Sequence, residues 1–254
     1  MQPFLRKIAQ HLFEKHGSRI GEIEVVLPTR RACVYFKHYL AEVAQTTILA
    51  PDIMAMDDFI KRMAEVEWLD PVSLLFELYK SYKHFDRNPD TDLEQFAPLG
   101  NAMLQDFSMI DKNITPKQAS ELFEYLDELK AIERWAQEQL GKPIEVKEGS
   151  SLQNFFSFWR YLAATFFHFR NQILAENQAY SGLAYRQVVE NLEAYLEAEE
   201  IKTVAFVGFN QMSRAEEQIM AKLIKIGKAE TYWDADKYYL DNIQQEAGDF
   251  IRRY

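Results

Sequence analysis

The residues that most restrict what this chain can fold into are Ile23-Glu24-Val25-Val26-Leu27 and the segment that follows, Pro28-Thr29-Arg30-Arg31-Ala32-Cys33-Val34-Tyr35-Phe36. A short β-rich run that is apolar at nearly every position suits a central parallel strand covered on both faces. Pro28 ends it, since proline has no N–H to give to a ladder. Apolar residues then return at helical spacing, so Arg31–Ala44 is expected as a helix with Ala32, Tyr35, Phe36, Tyr39, Leu40 and Val43 turned inward. A parallel strand feeding a helix commits the chain to an α/β plan, because parallel neighbours need a crossover connection.

The same pattern recurs at both ends of the chain. Phe4, Leu5, Ile8, Leu12 and Phe13 mark a first helix closed by Gly17. Thr46–Leu49 is expected as a second strand, stopped by Ala50-Pro51, and Asp57 as the cap of a helix carrying Phe59, Ile60 and Met63. Near the other end, Thr203–Val207 is expected as a strand and Ser213–Ile226 as a helix, opened by a Ser213/Glu216 capping box. Thr231–Trp233 is a last short strand, and the residues from Asn242 read as a helix running to Tyr254, as though cut from a longer protein.

Between these ends the pattern changes. From Asp70 to about Glu199 no strand is expected. Asp70-Pro71, Asp92 and Thr115-Pro116 each open a helix, the last running to about Leu140. Gly141–Ser151 is the best linker. It is followed by a helix rich in Phe and Trp over Phe155–Phe169 and, after Tyr180-Ser181-Gly182, by another over Leu183–Glu199. Two small α/β pieces make one sheet more economically than two. The expected organisation is therefore one α/β subdomain from residues 1–69 and 200–254, interrupted by a helical insertion over 70–199.

Composition limits the partners. The 254 residues carry 29 basic and 39 acidic side chains, a net charge of −10. A basic footprint over the whole chain is absent, so any contact with a polyanion must use a local patch. Cys33 is the single cysteine, which excludes an internal disulfide framework and fits a reducing compartment. The first 17 residues are amphipathic rather than a signal peptide, and Leu162–Phe167 is far shorter than the roughly 20 residues of a membrane span. A soluble, cytoplasmic protein is expected.

Chemistry-bearing motifs are few. A phosphate cradle needs clustered glycines and a lysine followed by Ser or Thr. Gly141-Lys142 and Gly227-Lys228 have neither and read as helix ends. Val204–Val207 emerges into Gly208-Phe209-Asn210-Gln211 rather than into the magnesium-holding acid of a Walker B strand. Glu216 and Glu217 come later, as cap and solvent face. Asp234 and Asp236 fit a turn and cap better than a metal site, and the five histidines show no ligand spacing. Cys33 lies close to Arg31, which would lower its pKa, but a small core residue fits it better. The aromatic helix is either core or a base-stacking platform, and aromatics on more than one face favour core. No catalytic, cofactor-binding or metal-binding residue is assigned. That leaves Thr29, Arg30 and Arg31, where backbone N–H groups and guanidinium forks converge at a strand's carboxyl end. They form either a phosphate grip or a set of salt bridges to acidic neighbours.

Pro28-Thr29-Arg30-Arg31-Ala32-Cys33 resembles motif Ia of superfamily 1 helicases, in which a Thr and a following basic residue touch single-stranded DNA. With Val25–Ala32, Asp57–Phe59, Leu74–Tyr79, Leu99–Asp111 (including Leu104-Gln105-Asp106-Phe107), Gly208–Glu217, Trp233–Tyr239 and Glu246–Arg252, the chain is similar over essentially its whole length to the N-terminal part of AddB-like, inactivated superfamily 1 helicases of the Bacteroidetes type. Such proteins usually carry a PD-(D/E)XK nuclease domain far downstream. The resemblance implies a RecA-like P-loop-type sheet (helicase subdomain 1A) with the helical insertion as subdomain 1B. It further implies a non-catalytic module of a DNA double-strand break processing machine. Such a module would contact DNA through Thr29, Arg30 and Arg31 beside a motor or nuclease partner, without ATP or any other cofactor. The other expectation from the residues is a structural or protein-interaction scaffold that touches no nucleic acid.

Overall fold

The computed structural model describes residues 2–85, 92–126, 151–198 and 202–253. They fall into two compact units, one from residues 1–65 with 187–254 and one from 66–186.

The first unit is built on β1 (Ile23–Leu27), β2 (Asp52–Ala55), β5 (Thr203–Val207) and β6 (Ala229–Tyr232). These four strands are all parallel, in the order β2-β1-β5-β6. Every residue of β1 is buried, as the unbroken apolar run requires of a central strand. Its side chains alternate between two helical layers. Val25 and Leu27 share a core with Leu12 of α1 (Phe4–His16) and with Phe36 and Leu40 of α2 (Arg30–Ala44). Glu24 faces α3 (Met56–Ala64), where its buried carboxylate accepts from Arg62 at 2.6 Å. In β5, Ala205 and Val207 join the α1/α2 core, whereas the Phe206 ring meets Phe59 of α3 edge-on at 5.9 Å. The helix α10 (Arg214–Lys225) connects β5 to β6. Its capping box forms as the sequence indicates: Ser213 Oγ accepts from Glu216 N, and Glu216 Oε2 accepts from Ser213 N at 2.6 Å.

The second unit is mostly helical. It holds α4 (Pro71–Phe85), α5 (Leu93–Asn113), α6 (Pro116–Leu126), α7 (Ser151–Ala175) and the start of α8 (Ser181–Glu190). Its centre is a group of rings and buried charges. Phe166 packs against Phe107 at 4.9 Å, and Phe169 stacks parallel to Tyr180 at 5.6 Å. Phe166 and Phe169 are fully buried, so on the described part of the aromatic helix these two rings are core. Asp111 is buried with Arg170 and Arg186. The Tyr180 hydroxyl donates to its carboxylate, and Arg170 Nε lies 3.2 Å from Oδ1, off the axis of a good hydrogen bond. Arg186 Nε donates to the Asp111 backbone carbonyl at 3.0 Å.

Several expectations need correction. Thr46–Leu49 forms no strand. The strand is Asp52–Ala55, on the far side of Pro51, and it pairs with β1 from Glu24↔Asp52 to Leu27↔Ala55. The richer β-formers lose because Leu49 is left 76% exposed, while Ile53 and Ala55 reach the core. Asp57 sits inside the first turn of α3, where it favours the helix dipole, and Ala55 holds the capping position without a side-chain bond. A strand does occur within 70–199: Gln178–Ala179 (β4) pairs in parallel with Glu67–Trp68 (β3). The helix expected over Leu183–Glu199 begins at Ser181 and breaks at Asn191, giving α8 and α9 (Leu192–Ala198).

The last strand is shifted to Ala229–Tyr232. Beyond it, residues 242–253 form no long helix. After α11 (Lys237–Asp241) come two short 3-10 turns, Glu246–Gly248 and Ile251–Arg253. Arg252 gathers them by donating to the carbonyls of Tyr239, Asn242 and Gln245. The linker up to Ser150, the third helix beyond Leu126 and the side chains of Phe155, Phe156, Phe158 and Trp159 lie outside the described residues, while Ser151 already begins α7.

Candidate nucleic-acid interface

In the first unit the chain leaves β1 for β2 on one side and β5 for β6 on the other. The connections diverge between β1 and β5, and open parallel sheets bind ligands in the crevice at the carboxyl ends of such strands. Thr29, Arg30 and Arg31 stand at the end of β1, and Gly208 at the end of β5.

The β5 side of this edge opens on a glycine and a buried aromatic ring before the exposed Asn210 and Gln211. Gly208 has φ +77°, a left-handed conformation that glycine adopts without strain, and a Cβ there would come within 3.4 Å of the Phe4 ring. Phe209 is buried, its ring 6.1 Å from Phe206. Glu216 is committed to its cap and Glu217 pairs with Arg214 at 3.2 Å. Asp236 caps α11, accepting from Tyr238 N at 2.8 Å.

The β1 side is polar and open. Thr29 takes up extended φ and ψ of −140° and 152°, and its Oγ1 accepts from Ala32 N at 3.2 Å. It therefore caps α2, and its hydroxyl proton points to no described partner. The N–H groups of Arg30 and Arg31 lie at the open end of the helix, where no carbonyl of the same helix can reach them. Nothing acidic stands in that first turn.

The two arginines differ. Arg30 grips Asp58 of α3 with both arms of its fork: Nη2 to Oδ1 at 2.6 Å and Nε to Oδ2 at 3.0 Å. That hydrogen bond holds the Asp58 carboxyl below its ordinary range and pushes the Arg30 guanidinium up. The sequence left open a grip or a salt bridge. Arg30 makes the salt bridge while remaining 80% exposed. Arg31 has no carboxylate within ion-pair distance among the described residues, and its guanidinium lies over the Tyr35 ring, 5.9 Å from the centroid.

Two readings of α2 change. The inward stripe is Cys33, Phe36, Leu40 and Ala44, with Tyr35 outside it. Of the expected stripe, Phe36 and Leu40 are buried, Ala32 and Tyr39 pack against the same core and Val43 is half-buried, so Tyr35 is the residue misplaced, with Cys33 and Ala44 buried in addition. Cys33 is not activated: burial raises its thiol pKa, outweighing Lys37 and Arg30, and its Sγ lies 3.3 Å from the Thr29 carbonyl. Asp58 and Tyr35 are the neighbours of the two arginines that sequence reasoning missed. The spacing of Arg31 and Tyr35, four residues apart on one helix, was the available signal for the second. Nothing local links Arg30 to Asp58, 28 residues away.

Among the described residues, no three or more His, Cys, Asp or Glu side chains gather as a metal site, and no helix is long and apolar enough to cross a membrane. No model of a known protein family and no curated protein matches this chain.

Proposed function

We propose that the chain is a non-catalytic, helicase-like module that contacts a DNA strand at Thr29, Arg30 and Arg31 and does not turn over ATP. Arg31 carries this reading. It is a guanidinium without a carboxylate partner among the described residues, at the N-terminus of α2 and at the edge where the strand connections diverge. A phosphate there would meet the positive helix end, a free fork and the Thr29 hydroxyl together. The four-stranded parallel sheet and its alternating helical layers are compatible with a RecA-like P-loop-type subdomain 1A, and the helical unit with subdomain 1B. In this reading the module works in the cytoplasm in double-strand break processing, beside a motor partner and a nuclease domain that supply the chemistry. The end of β5 supports the absence of an engine, since Gly208-Phe209-Asn210-Gln211 offers no carboxylate for a nucleotide-bound magnesium.

The Arg30–Asp58 pair favours the competing reading, a scaffold whose sheet edge binds nothing. Binding of labelled single-stranded DNA over a salt series separates the two. The grip gives measurable binding at low salt that falls steeply, by about 0.7 in log–log slope per phosphate contact. Arg30→Ala/Arg31→Ala weakens it and flattens the slope. Absent binding, or indifference to the double substitution, supports the scaffold. A nucleotide titration with micromolar ATP affinity contradicts the inactive reading.

A further inference from the structure

We infer that β6 is an assembly edge, where two copies of this chain join antiparallel about a two-fold axis at Thr231 and make one continuous sheet. The inference is independent of the proposed strand contact.

β6 ends the sheet. The Val204 N–H donates to the Lys228 carbonyl at 2.8 Å, and the Gly208 N–H to the Tyr232 carbonyl at 2.9 Å. Backbone groups alternate along a ladder, so those of Lys228, Glu230 and Tyr232 point to β5, and those of Ala229, Thr231 and Trp233 point to the open edge. Such a row is a template for another strand unless it is blunted. The opposite edge is blunted, since Pro51 precedes β2 and the charged Asp52 begins it. β6 holds no proline. Its one charge, Glu230, is met by Lys15 and by the Tyr232 hydroxyl.

The residues around Thr231 identify the occupant, because they complement themselves. In an antiparallel pair centred there, the outward N–H and C=O of Thr231 bond those of its counterpart, and Ala229 does the same with Trp233 on either side. Thr231 faces Thr231, a favourable cross-strand pair. The small Ala229 lies opposite the large Trp233, whose ring is already held by Phe250 at 5.8 Å. Glu230 lies opposite Tyr232, and Lys228 opposite Asp234. Lys228 and Asp234 are both exposed, and neither has an ion-pair partner among the described residues. The pairing supplies each with one at both ends of the joined strands. Moving the axis to Glu230 sets two carboxylates opposite each other, and moving it to Tyr232 sets Glu230 opposite Asp234. Like charges therefore disfavour the neighbouring registers.

The helical layer adds apolar area. Thr231 and Trp233 line a groove of about 230 Å³ with Met220, Ala221 and Ile224 of α10. An axis perpendicular to the sheet keeps both α10 helices on the same face, so the two grooves flank one new strand pair. Ile224 is 44% exposed in that groove, and Ile226, 45% exposed, closes α10 just before β6. Covering such side chains favours association.

Sedimentation equilibrium of the whole chain over a concentration series tests the edge, and a monomer–dimer equilibrium is expected. Thr231→Pro removes an N–H that β5 does not use, so the fold keeps its ladder while dimer affinity should fall about ten-fold or more. Lys228→Glu and Asp234→Lys should each weaken the dimer about five-fold, and the two together should restore most of the affinity. Far-ultraviolet circular dichroism matching the native protein confirms that the variants fold. If Thr231→Pro does not fold, the charge exchange decides alone. A chain that is monomeric at every concentration overturns the inference and leaves the edge to another polypeptide. A dimer that ignores Thr231→Pro and both charge reversals places the contact elsewhere and overturns it too. Reversals that weaken the dimer singly without recovering together overturn the register. None of these variants alters Thr29, Arg30 or Arg31, so strand binding is left as it was whichever result is found.

Discussion

Both units use arginine, and they use it in opposite ways. In the helical unit Arg170 and Arg186 are buried around Asp111, where Tyr180 also donates. In the sheet unit Arg30 and Arg31 are exposed at the open end of a helix. A charge withdrawn from water must be compensated locally, so these two arginines are engaged by the fold around Asp111. A charge left in water costs the fold little whether or not it is paired, and so remains available to a ligand. The same side chain is thus architecture in one unit and a candidate grip in the other.

The largest effect that would break this contrast comes from the buried side. Asp111→Ala leaves Arg170 without its carboxylate and should destabilise the helical unit by about 3–5 kcal/mol, read as a lowered midpoint in urea. A loss under about 1 kcal/mol would mean that these arginines are not held by the pair. Gly182→Ala comes next. Its Cβ would lie 2.2 Å from the Ser108 carbonyl oxygen, so α5 and α8 must part, at a cost of about 1–3 kcal/mol. Thermal melts that match the native protein would contradict this close approach.

The smallest effect on stability belongs to the exposed side. Asp58→Asn should leave folding stability at neutral pH nearly unchanged, because Arg30 is solvated. Its signature is pH. Arg30 lowers the folded pKa of Asp58 from 3.8. The pair's contribution is therefore present above the unfolded value and lost as pH falls through the lowered one. Asp58→Asn flattens that acid limb, and releasing Arg30 should also strengthen strand binding. A variant with the native acid limb would show that the pair adds nothing to folding.

What could be read from the sequence follows the same division. β1, β5 and the Ser213/Glu216 cap were legible because each rests on neighbouring residues: an apolar run, a proline stop, a side chain three positions from its partner. Thr29, Arg30 and Arg31 were legible as a group for that reason. The cluster at Asp111 was not, since Arg170, Tyr180 and Arg186 lie 59 to 75 positions away, the arginines read locally as polar helix residues and Tyr180 reads as part of a break between helices. The second strand was misplaced because Thr46–Leu49 has the better β-formers, while pairing with β1 chose Asp52–Ala55. Arg30 and Arg31 looked equivalent for the same reason, since only tertiary structure brings Asp58 to one of them.

That inequality is the centre of the account, and single substitutions test it most directly. Single-stranded DNA binding is compared for the native protein, Arg30→Ala and Arg31→Ala at low salt and over a salt series. Arg31→Ala should give the larger loss of affinity and take about 0.7 from the salt slope, with Arg30→Ala changing both much less. Equal losses, or a larger loss for Arg30→Ala, would contradict it.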